Sequence, residues 1–306
     1  MIEIVAQSEA MREAVGLAQR VAPTDANVLI TGESGAGKDA LAAFIHFHSR
    51  RGTESFVKID CAALSSDLLE AELFGYERGA FTGAGEPKAG RLEAAHRGTL
   101  VLDEIAYLPN DAQAKLLRVI ETREFERLGG RRTIKVDARL IALTNVDLTK
   151  AVQRKDFRED LFYRLNVVHI EVPPLRRRQE DIPSLIEAFL EAFSRKHGRQ
   201  VLGIEAASMA IFSEYDFPGN VRELANAIER AVIVATGPRV QEGDLPASLR
   251  DAVKFERGRK QPRTLAQLEA EYVAEILSTT KGNKTEAARI LGISRKNLYE
   301  RIARHK

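Results

Sequence analysis

The sequence is poor in cysteine and tryptophan and has no long apolar run. Among its 306 residues there is one cysteine and no tryptophan. A single cysteine excludes an intramolecular disulfide framework and a zinc site built from several thiolates, which favours a reducing compartment. No apolar run approaches the ~18–20 residues that a membrane span needs, and the N-terminal stretch lacks the apolar segment of a signal peptide. The sequence therefore predicts a soluble cytoplasmic protein.

The net charge of the whole chain is close to zero, but its two ends differ in charge. The 46 Lys and Arg residues are almost balanced by 44 Asp and Glu residues, which excludes a uniformly basic nucleic-acid coat protein. Residues 247–306 hold 14 basic and 7 acidic side chains, whereas the rest of the chain holds 32 and 37. The basic excess is therefore confined to the C-terminal end.

The distribution of apolar residues divides the chain into parts. Short β-rich runs alternate with helix-length segments over residues 1–172, and the runs lie at 28–31, 56–59, 99–102, 140–143 and 167–170. This alternation predicts an α/β domain with a parallel sheet. Helical periodicity from 181 to about 235 predicts a small helical subdomain at 173–249, in which Asn220 caps a helix. Residues 250–263 are charged and poor in apolar side chains, which predicts a linker.

A phosphate-binding loop follows the first predicted strand. Residues 32–39 match G-x-x-x-x-G-K, whose glycines let backbone N–H groups surround phosphates while the lysine reaches the terminal ones. Asp39 stands where a Ser or Thr usually binds magnesium. Taken alone, the motif could be a glycine-rich turn with an incidental lysine. Its residues are Gly32, Glu33, Ser34, Gly35, Ala36, Gly37, Lys38 and Asp39.

An acidic pair ends the predicted strand at 99–102. Asp103 and Glu104 are expected in the crevice where α/β sheets bind ligands. Asp103 can hold magnesium, directly or through water, and Glu104 can polarise an attacking water molecule. Two solvated acids at the start of a loop would be the simpler interpretation. Because both motifs occur in the right order, the sequence favours nucleotide hydrolysis.

The hexapeptide GAFTGA at residues 79–84, hereafter the GAFTGA loop, is the most specific motif. It resembles the signature loop of the bacterial enhancer-binding proteins, which are AAA+ ATPases that activate RNA polymerase carrying sigma-54. Residues 72–75 and 90–93 also resemble that family, and the resemblance covers about 4–246 and 264–306. It implies an AAA+ P-loop fold with a parallel sheet and a helical lid, with ATP and Mg²⁺ as cofactors. The expected sigma-54 contacts are Gly79, Ala80, Phe81, Thr82, Gly83 and Ala84.

The resemblance also implies roles for residues elsewhere in the ATPase. Thr144 and Asn145 match the family's first sensor of the terminal phosphate, and Arg222 matches the second. Arg158 and Arg164 match the arginine fingers that reach the nucleotide of a neighbouring subunit, although either one alone would be taken as a surface arginine. A site completed by a neighbour implies a hexameric ring.

Two positions depart from the family pattern. The family has Glu at the position of Asp39, and both are acids. It has Asn at the position of Asp60, where the amide is thought to hold the glutamate that matches Glu104. An aspartate cannot donate a hydrogen bond unless it is protonated, so we expect Asp60 to change how tightly hydrolysis is gated. Cys61 is interpreted as a small core residue.

Residues 264–306 resemble the Fis-type helix-turn-helix that ends these activators. The predicted helices lie at 264–280, 285–291 and 295–304; the first is suited to dimer contact, and Gly292 and Ser294 supply the turn and a helix cap. A three-helix interaction module with a basic face remains the alternative. The residues expected to contact DNA are Ser294, Arg295, Lys296, Asn297, Tyr299, Arg301 and Arg304.

Together these features predict a sigma-54-dependent activator that binds enhancer DNA, forms a ring and remodels the closed complex of the sigma-54 RNA polymerase. A nucleotide-switched repressor that remodels nothing is the alternative. A general AAA+ chaperone or helicase would leave the C-terminal domain unexplained. The length accommodates a motor and a DNA reader but no sensor. We therefore expect either control in trans by a regulatory protein, as in the phage-shock type of activator, or a truncated chain.

Overall fold

The computed structural model describes residues 4–260, 264–280 and 282–304. The chain forms two compact units, Met1–Leu249 and Arg250–Lys306. Within the described ranges, every helix is too short or too polar to cross a membrane.

The elements of the described chain are numbered in chain order. The strands are β1 (Val28–Thr31), β2 (Phe56–Asp60), β3 (Gly75–Tyr76), β4 (Lys88–Ala89), β5 (Thr99–Asp103), β6 (Glu124–Glu126), β7 (Thr133–Lys135), β8 (Arg139–Thr144), β9 (Val168–Glu171), β10 (Gly203–Ile204) and β11 (Arg239–Val240). The helices are α1 (Glu9–Val21), α2 (Lys38–Phe47), α3 (Ser66–Phe74), α4 (Arg91–Ala94), α5 (Asn110–Thr122), α6 (Leu148–Gln153), α7 (Glu159–Leu165), α8 (Ile182–His197), α9 (Ala206–Glu214), α10 (Asn220–Val234), α11 (Ala247–Lys260), α12 (Leu265–Thr279), α13 (Lys284–Ile290) and α14 (Arg295–Arg304).

A parallel sheet in the order β2-β5-β8-β1-β9 forms the centre of the first unit. Its five strands confirm the five predicted apolar runs to within a residue or two at each end. The inner strands β1, β5 and β8 are buried along nearly their whole length, as continuous apolar runs require. The edge strand β2 alternates instead, with Ile59 buried between the exposed Lys58 and Asp60. Parallel pairing brings the carboxyl ends of β1, β5 and β8 to one edge of the sheet.

A helical subdomain follows the sheet, and α8 packs against α10 within it. Their apolar stripes are buried at Ile186 and Leu190 on α8 and at Leu224 and Ile228 on α10. The prediction that Asn220 caps a helix is wrong. Asn220 is the first residue of α10, with a left-handed φ of 54°, and its side chain bonds to other segments because a tertiary contact replaces the local cap.

The second unit contains a three-helix core. Helices α12, α13 and α14 pack around Val273, Ala287, Ala288 and Leu298, which confirms the three predicted helices. Residues 250–260 of the predicted linker belong to α11, since Arg, Lys and Glu are good helix formers even without an apolar stripe. Residues 261–263 lie outside the described part, so the linker function stays a prediction.

Candidate nucleotide site

The phosphate-binding loop connects β1 to α2. Gly35 and Gly37 adopt left-handed φ values of 74° and 107°, which glycine reaches without steric cost. Helix α2 then begins at Lys38, so the free N–H groups at its start face the loop. The Lys38 Nζ donates to the carbonyl oxygens of Gly32 and Glu33 at 2.8 and 3.2 Å. The loop therefore has the local geometry of an anion site.

The acidic pair lies at the end of β5. Glu104 adopts φ 52° and ψ 49°, a left-handed conformation that is uncommon for a residue other than glycine. Its N–H donates to Asp103 Oδ1 at 3.0 Å, and its Oε2 accepts the N–H of Asn145 at 3.2 Å. Backbone strain of this kind concentrates at functional sites. The carboxylate of Glu104 is thus aimed by the chain that follows β8.

One cavity of about 210 Å³ brings the phosphate loop, the acidic pair and the helical subdomain together. Arg222, on α10, donates to the Ser34 hydroxyl at 3.0 Å. Burial lowers the pKa of Lys38, and the nearby carboxylates of Glu104 and Asp103 oppose that shift. The cavity is lined by Ser34, Gly35, Gly37, Lys38, Asp39, Asp103, Glu104, Val221, Arg222 and Ala225.

The predicted magnesium ligands converge on one cationic atom. Lys58 Nζ lies 2.7 Å from Asp103 Oδ2 and also contacts Asp39 Oδ1. No cluster of three or more His, Cys, Asp or Glu side chains suited to a metal occurs among the described residues. Mg²⁺ commonly binds through one or two carboxylates together with substrate phosphates. Asp39 and Asp103 therefore fit a magnesium ion that arrives with a nucleotide.

Asp60 and Thr144 lie beside the cavity rather than in its lining. Asp60 is the register partner of Asp103, yet its Oδ1 accepts the N–H of Ala62 at 2.9 Å. Because Glu104 bonds to Asn145, each carboxylate is held by a backbone amide. The buried Thr144 hydroxyl accepts the Val146 N–H at 3.0 Å and so orients the turn that carries Asn145.

The two predicted arginine fingers form surface ion pairs within the chain. Arg158 bonds to both carboxylate oxygens of Asp160, at 3.0 and 2.7 Å. Arg164 bonds to Glu121 at 3.0 Å, and 60% of its side chain is exposed. Neither arginine lines the cavity of its own chain. Their side chains are thus accessible to a neighbouring molecule.

A hydrogen-bond network that no sequence motif indicated joins the helical subdomain to the phosphate loop. Asn220 is fully buried, and its Nδ2 donates to Glu33 Oε2 and to the carbonyl oxygen of Ser34, both at 3.1 Å. Arg176 donates one hydrogen bond to each oxygen of the same Glu33 carboxylate, at 2.7 and 2.5 Å. Hydrogen bonds from Arg176 and then Asn220 lower the pKa of Glu33 to about 2.

Arg178 is a second contact that sequence reasoning missed. It is 3% exposed, its guanidinium donates to the carbonyl oxygen of Ala36, and burial lowers its pKa. The buried Asp181 lies 3.9 Å away and accepts the N–H groups of Gln7 and Ser8 at 2.6 and 2.7 Å. The start of α1 is thereby fixed to the segment that supports the loop.

The GAFTGA loop extends from a small hairpin made by β3 and β4. The Gly79 N–H donates to the Ala84 carbonyl at 2.8 Å, and both loop glycines have left-handed φ values. The Phe81 ring is 43% exposed and lies 5.0 Å from the ring of Tyr76. Thr82 is exposed, whereas Ala84 is buried at the base. The loop therefore presents an aromatic ring and a hydroxyl to solvent.

The predicted DNA-contacting residues lie on or just before α14. The Ser294 hydroxyl accepts the Asn297 N–H at 3.2 Å, as a helix cap does, and Arg295 and Lys296 are exposed. Arg301 pairs with Glu269, and the Lys284 ammonium lies 4.6 Å from the centre of the Tyr299 ring. The Arg304 side chain lies outside the described residues.

Comparison with protein families assigns all three parts of the chain. The Sigma-54 interaction domain model matches residues 4–171. The chain belongs to the sigma-54-dependent transcriptional regulators. The AAA+ ATPase lid domain matches residues 176–262, and the Fis family of bacterial regulatory proteins matches 264–305. The fold is thus an AAA+ domain with a parallel sheet, a helical lid and a C-terminal helix-turn-helix.

Individual relatives agree with this assignment. The chain is 46% identical over 309 residues to the regulatory protein AtoC of Escherichia coli K12, covering 98% of this chain and 67% of AtoC. It is 47% identical to ZraR of Salmonella typhimurium, with 98% and 68% covered. The structure of NtrX from Brucella abortus in complex with ATP superposes with a TM-score of 0.74 at 36% identity, covering 98% of this chain and 68% of NtrX. These matches support a sigma-54-dependent regulator and not the nucleotide-switched repressor.

Proposed function

We propose that this regulator hydrolyses ATP in the cavity between sheet and lid and uses that energy to remodel the sigma-54 polymerase closed complex. The observation that carries the proposal is the single cavity that unites Lys38, the acidic pair and Arg222. ATP-bound NtrX, which shares the fold, supports the same ligand class. The site of action is the cytoplasm, where the polymerase and the enhancer DNA are found.

The side chains around the cavity divide the work of phosphoryl transfer. Lys38 and the N–H groups at the start of α2 bind phosphate oxygens. Glu104 orients and polarises the attacking water molecule, since its carboxylate is held by Asn145 and cannot rotate freely. Arg222 contacts the terminal phosphate from α10, so that the lid responds to its presence. Thr144 and Asn145 contact it from the end of β8.

Asp39 and Asp103 would hold a Mg²⁺ ion that arrives with the nucleotide. Such an ion would supply positive charge to offset the charge of the phosphates. The remaining parts of the loop, from Gly32 to Gly37, wrap the phosphates through their backbone. Asp60, which cannot donate to Glu104 as an amide would, leaves the position of Glu104 to the Asn145 contact.

Hydrolysis is completed by a neighbouring subunit in a ring. Arg158 and Arg164 are exposed at the surface and carry charge suited to the negative phosphates of an adjacent site. The preferred assembly is a hexamer built from dimers that α12 joins.

The GAFTGA loop contacts sigma-54, and α14 contacts enhancer DNA. Phe81 and Thr82 supply the apolar and polar parts of the first contact, and the two glycines allow the loop to move. Arg295, Lys296 and Asn297 are exposed at the start of α14, where they can reach phosphates and base edges in the major groove.

Substitution of Glu104 tests the proposal. Glu104→Gln should keep ATP affinity within about twofold yet lower turnover by about 10²-fold or more, because water activation is lost while phosphate binding remains. Lys38→Ala should abolish ATP binding itself. The matched control is Glu191→Gln, an exposed acid on the far helix α8 that pairs with Arg195. Full turnover in Glu104→Gln would contradict the assignment.

A further inference from the structure

Lys58 joins three elements at the candidate magnesium position. It lies on the edge strand β2, whereas Asp39 lies on α2 and Asp103 at the end of β5. Its ammonium is 2.7 Å from Asp103 Oδ2 and contacts Asp39 Oδ1 as well. The side chain is 38% exposed, so the amine is reached from solvent and is not enclosed.

Charge explains why a cation is needed there. The chain has an aspartate where a phosphate loop usually has a neutral hydroxyl, so two carboxylates share the site. Like charges at close range repel each other and destabilise the folded state. Lysine provides a compact charge on a flexible four-carbon stem, which can enter and leave such a site without moving the backbone.

We propose that Lys58 is a positioning residue that acts as an internal cation, holding Asp39 and Asp103 together until a divalent ion takes its place. This inference rests on the proposed nucleotide site. The metal-free carboxylates keep their positions because Lys58 neutralises them. Binding of Mg²⁺ requires Lys58 to leave both ion pairs, so the affinity of the site for the metal is lower than two unpaired carboxylates would give.

Three variants isolate this effect. Lys58→Met keeps the length of the side chain but removes the charge. Lys58→Arg keeps the charge and serves as the conservative rescue. Lys196→Met is the matched control, because Lys196 forms an ion pair with Glu229 within the lid, away from the cavity.

The measurement is ADP affinity by calorimetry, with Mg²⁺ and with chelator, on the full chain. The ratio of interest is the dissociation constant of ADP with chelator divided by that with Mg²⁺. We expect this ratio to be about three- to tenfold larger in Lys58→Met than in the parent, the size expected for two partly exposed ion pairs. Lys58→Arg and Lys196→Met should keep the parent ratio. An unchanged or smaller ratio in Lys58→Met overturns the inference while leaving the nucleotide site intact.

A double-variant comparison tests whether Lys58 acts through Asp39. In an Asp39→Asn background one ion pair is already gone, so adding Lys58→Met should change the ratio less than it does in the parent. An equal change in both backgrounds would contradict a shared role. Failure of the parent chain to bind ADP under either condition would overturn the proposed nucleotide site and the inference together.

Discussion

Asn220 Nδ2 donates a hydrogen bond to the carbonyl oxygen of Ser34 at 3.1 Å, across 186 residues of sequence. The same amide accepts the N–H of Leu175 at 2.8 Å through its Oδ1. One buried side chain therefore joins the first turn of α10, within the lid, to the phosphate loop and to the segment that leads into the lid. This amide therefore helps to hold the lid against the phosphate loop.

Replacing Asn220 should destabilise the first unit for two separable reasons. Asn220→Ala should lower the free energy of unfolding by about 2–4 kcal/mol, since it leaves a buried N–H unpaired and places alanine at a left-handed φ. Asn220→Gly should cost about 1 kcal/mol less, because glycine adopts that backbone freely. Urea denaturation of both variants measures the difference. Parent-like stability in Asn220→Ala would contradict the role of the amide.

The Glu33–Arg176 pair should make stability depend on pH in acid. Because the pKa of Glu33 is lowered from 4.5 to about 2, its contribution is complete above pH 4.5 and is lost as the pH falls from 4.5 towards 2. Glu33→Gln should therefore be less stable than the parent near neutral pH, with a gap that narrows below pH 4.5. Denaturation series at several pH values measure this gap.

An independent check on the same pair uses Arg176→Ala. Without that guanidinium, the pKa of Glu33 should move back towards 4.5, because the largest cause of the shift has been removed. Carboxyl carbon chemical shifts followed by NMR titration measure the pKa directly. A pKa that stays near 2 would assign the shift to other groups.

Arg158 should matter for turnover and not for folding. Arg158→Ala should leave the free energy of unfolding nearly unchanged, because the pair with Asp160 lies at the surface, where about half of each side chain is exposed. It should lower ATP turnover by about 10³-fold if the arginine serves a neighbouring site. Arg118→Ala, which breaks an exposed pair with Glu126, is the matched control.

Specific ATPase activity of the parent should also rise with protein concentration, and a constant value would argue against catalysis in trans.

Thr82 should couple hydrolysis to the polymerase. Thr82→Ala should keep ATP turnover within about twofold yet abolish open-complex formation, because the hydroxyl lies on an exposed loop outside the cavity. Thr149→Ala, an exposed threonine on α6, should change neither activity. Open-complex assays with a sigma-54 promoter measure the outcome. Loss of both activities, or transcription that survives, would count against a dedicated coupling loop.

Local sequence signals predicted the sheet and the motifs well. Buried strands such as β5 need continuous apolar runs, and the phosphate loop needs glycines at positions with left-handed φ, so both can be recognised within a few residues. The order of the strands and the assembly of the cavity came from the structure, because they depend on how distant segments pack.

The residues that sequence reasoning missed owe their roles to distant partners. Lys58 occupies an exposed position of the edge strand β2, where a charged side chain is common. Arg178 ends a run of three arginines that is typical of a solvated surface, yet it is buried because Ala36 and Asp181 offer it oxygen atoms. Asn220 is of a residue type that often caps helices, but its side-chain amide bonds to the carbonyl oxygen of Ser34 instead of to the start of α10.

The lid also constrains the phosphate loop sterically. A Cβ atom on Gly35 would lie 2.5 Å from the carbonyl oxygen of Gly219 and 3.0 Å from Cβ of Arg222. Any side chain at position 35 would act as a wedge that holds α10 away from the loop, even if the phosphates themselves were still bound. Gly35, the second glycine of this loop, is therefore required for α10 to pack directly against the loop.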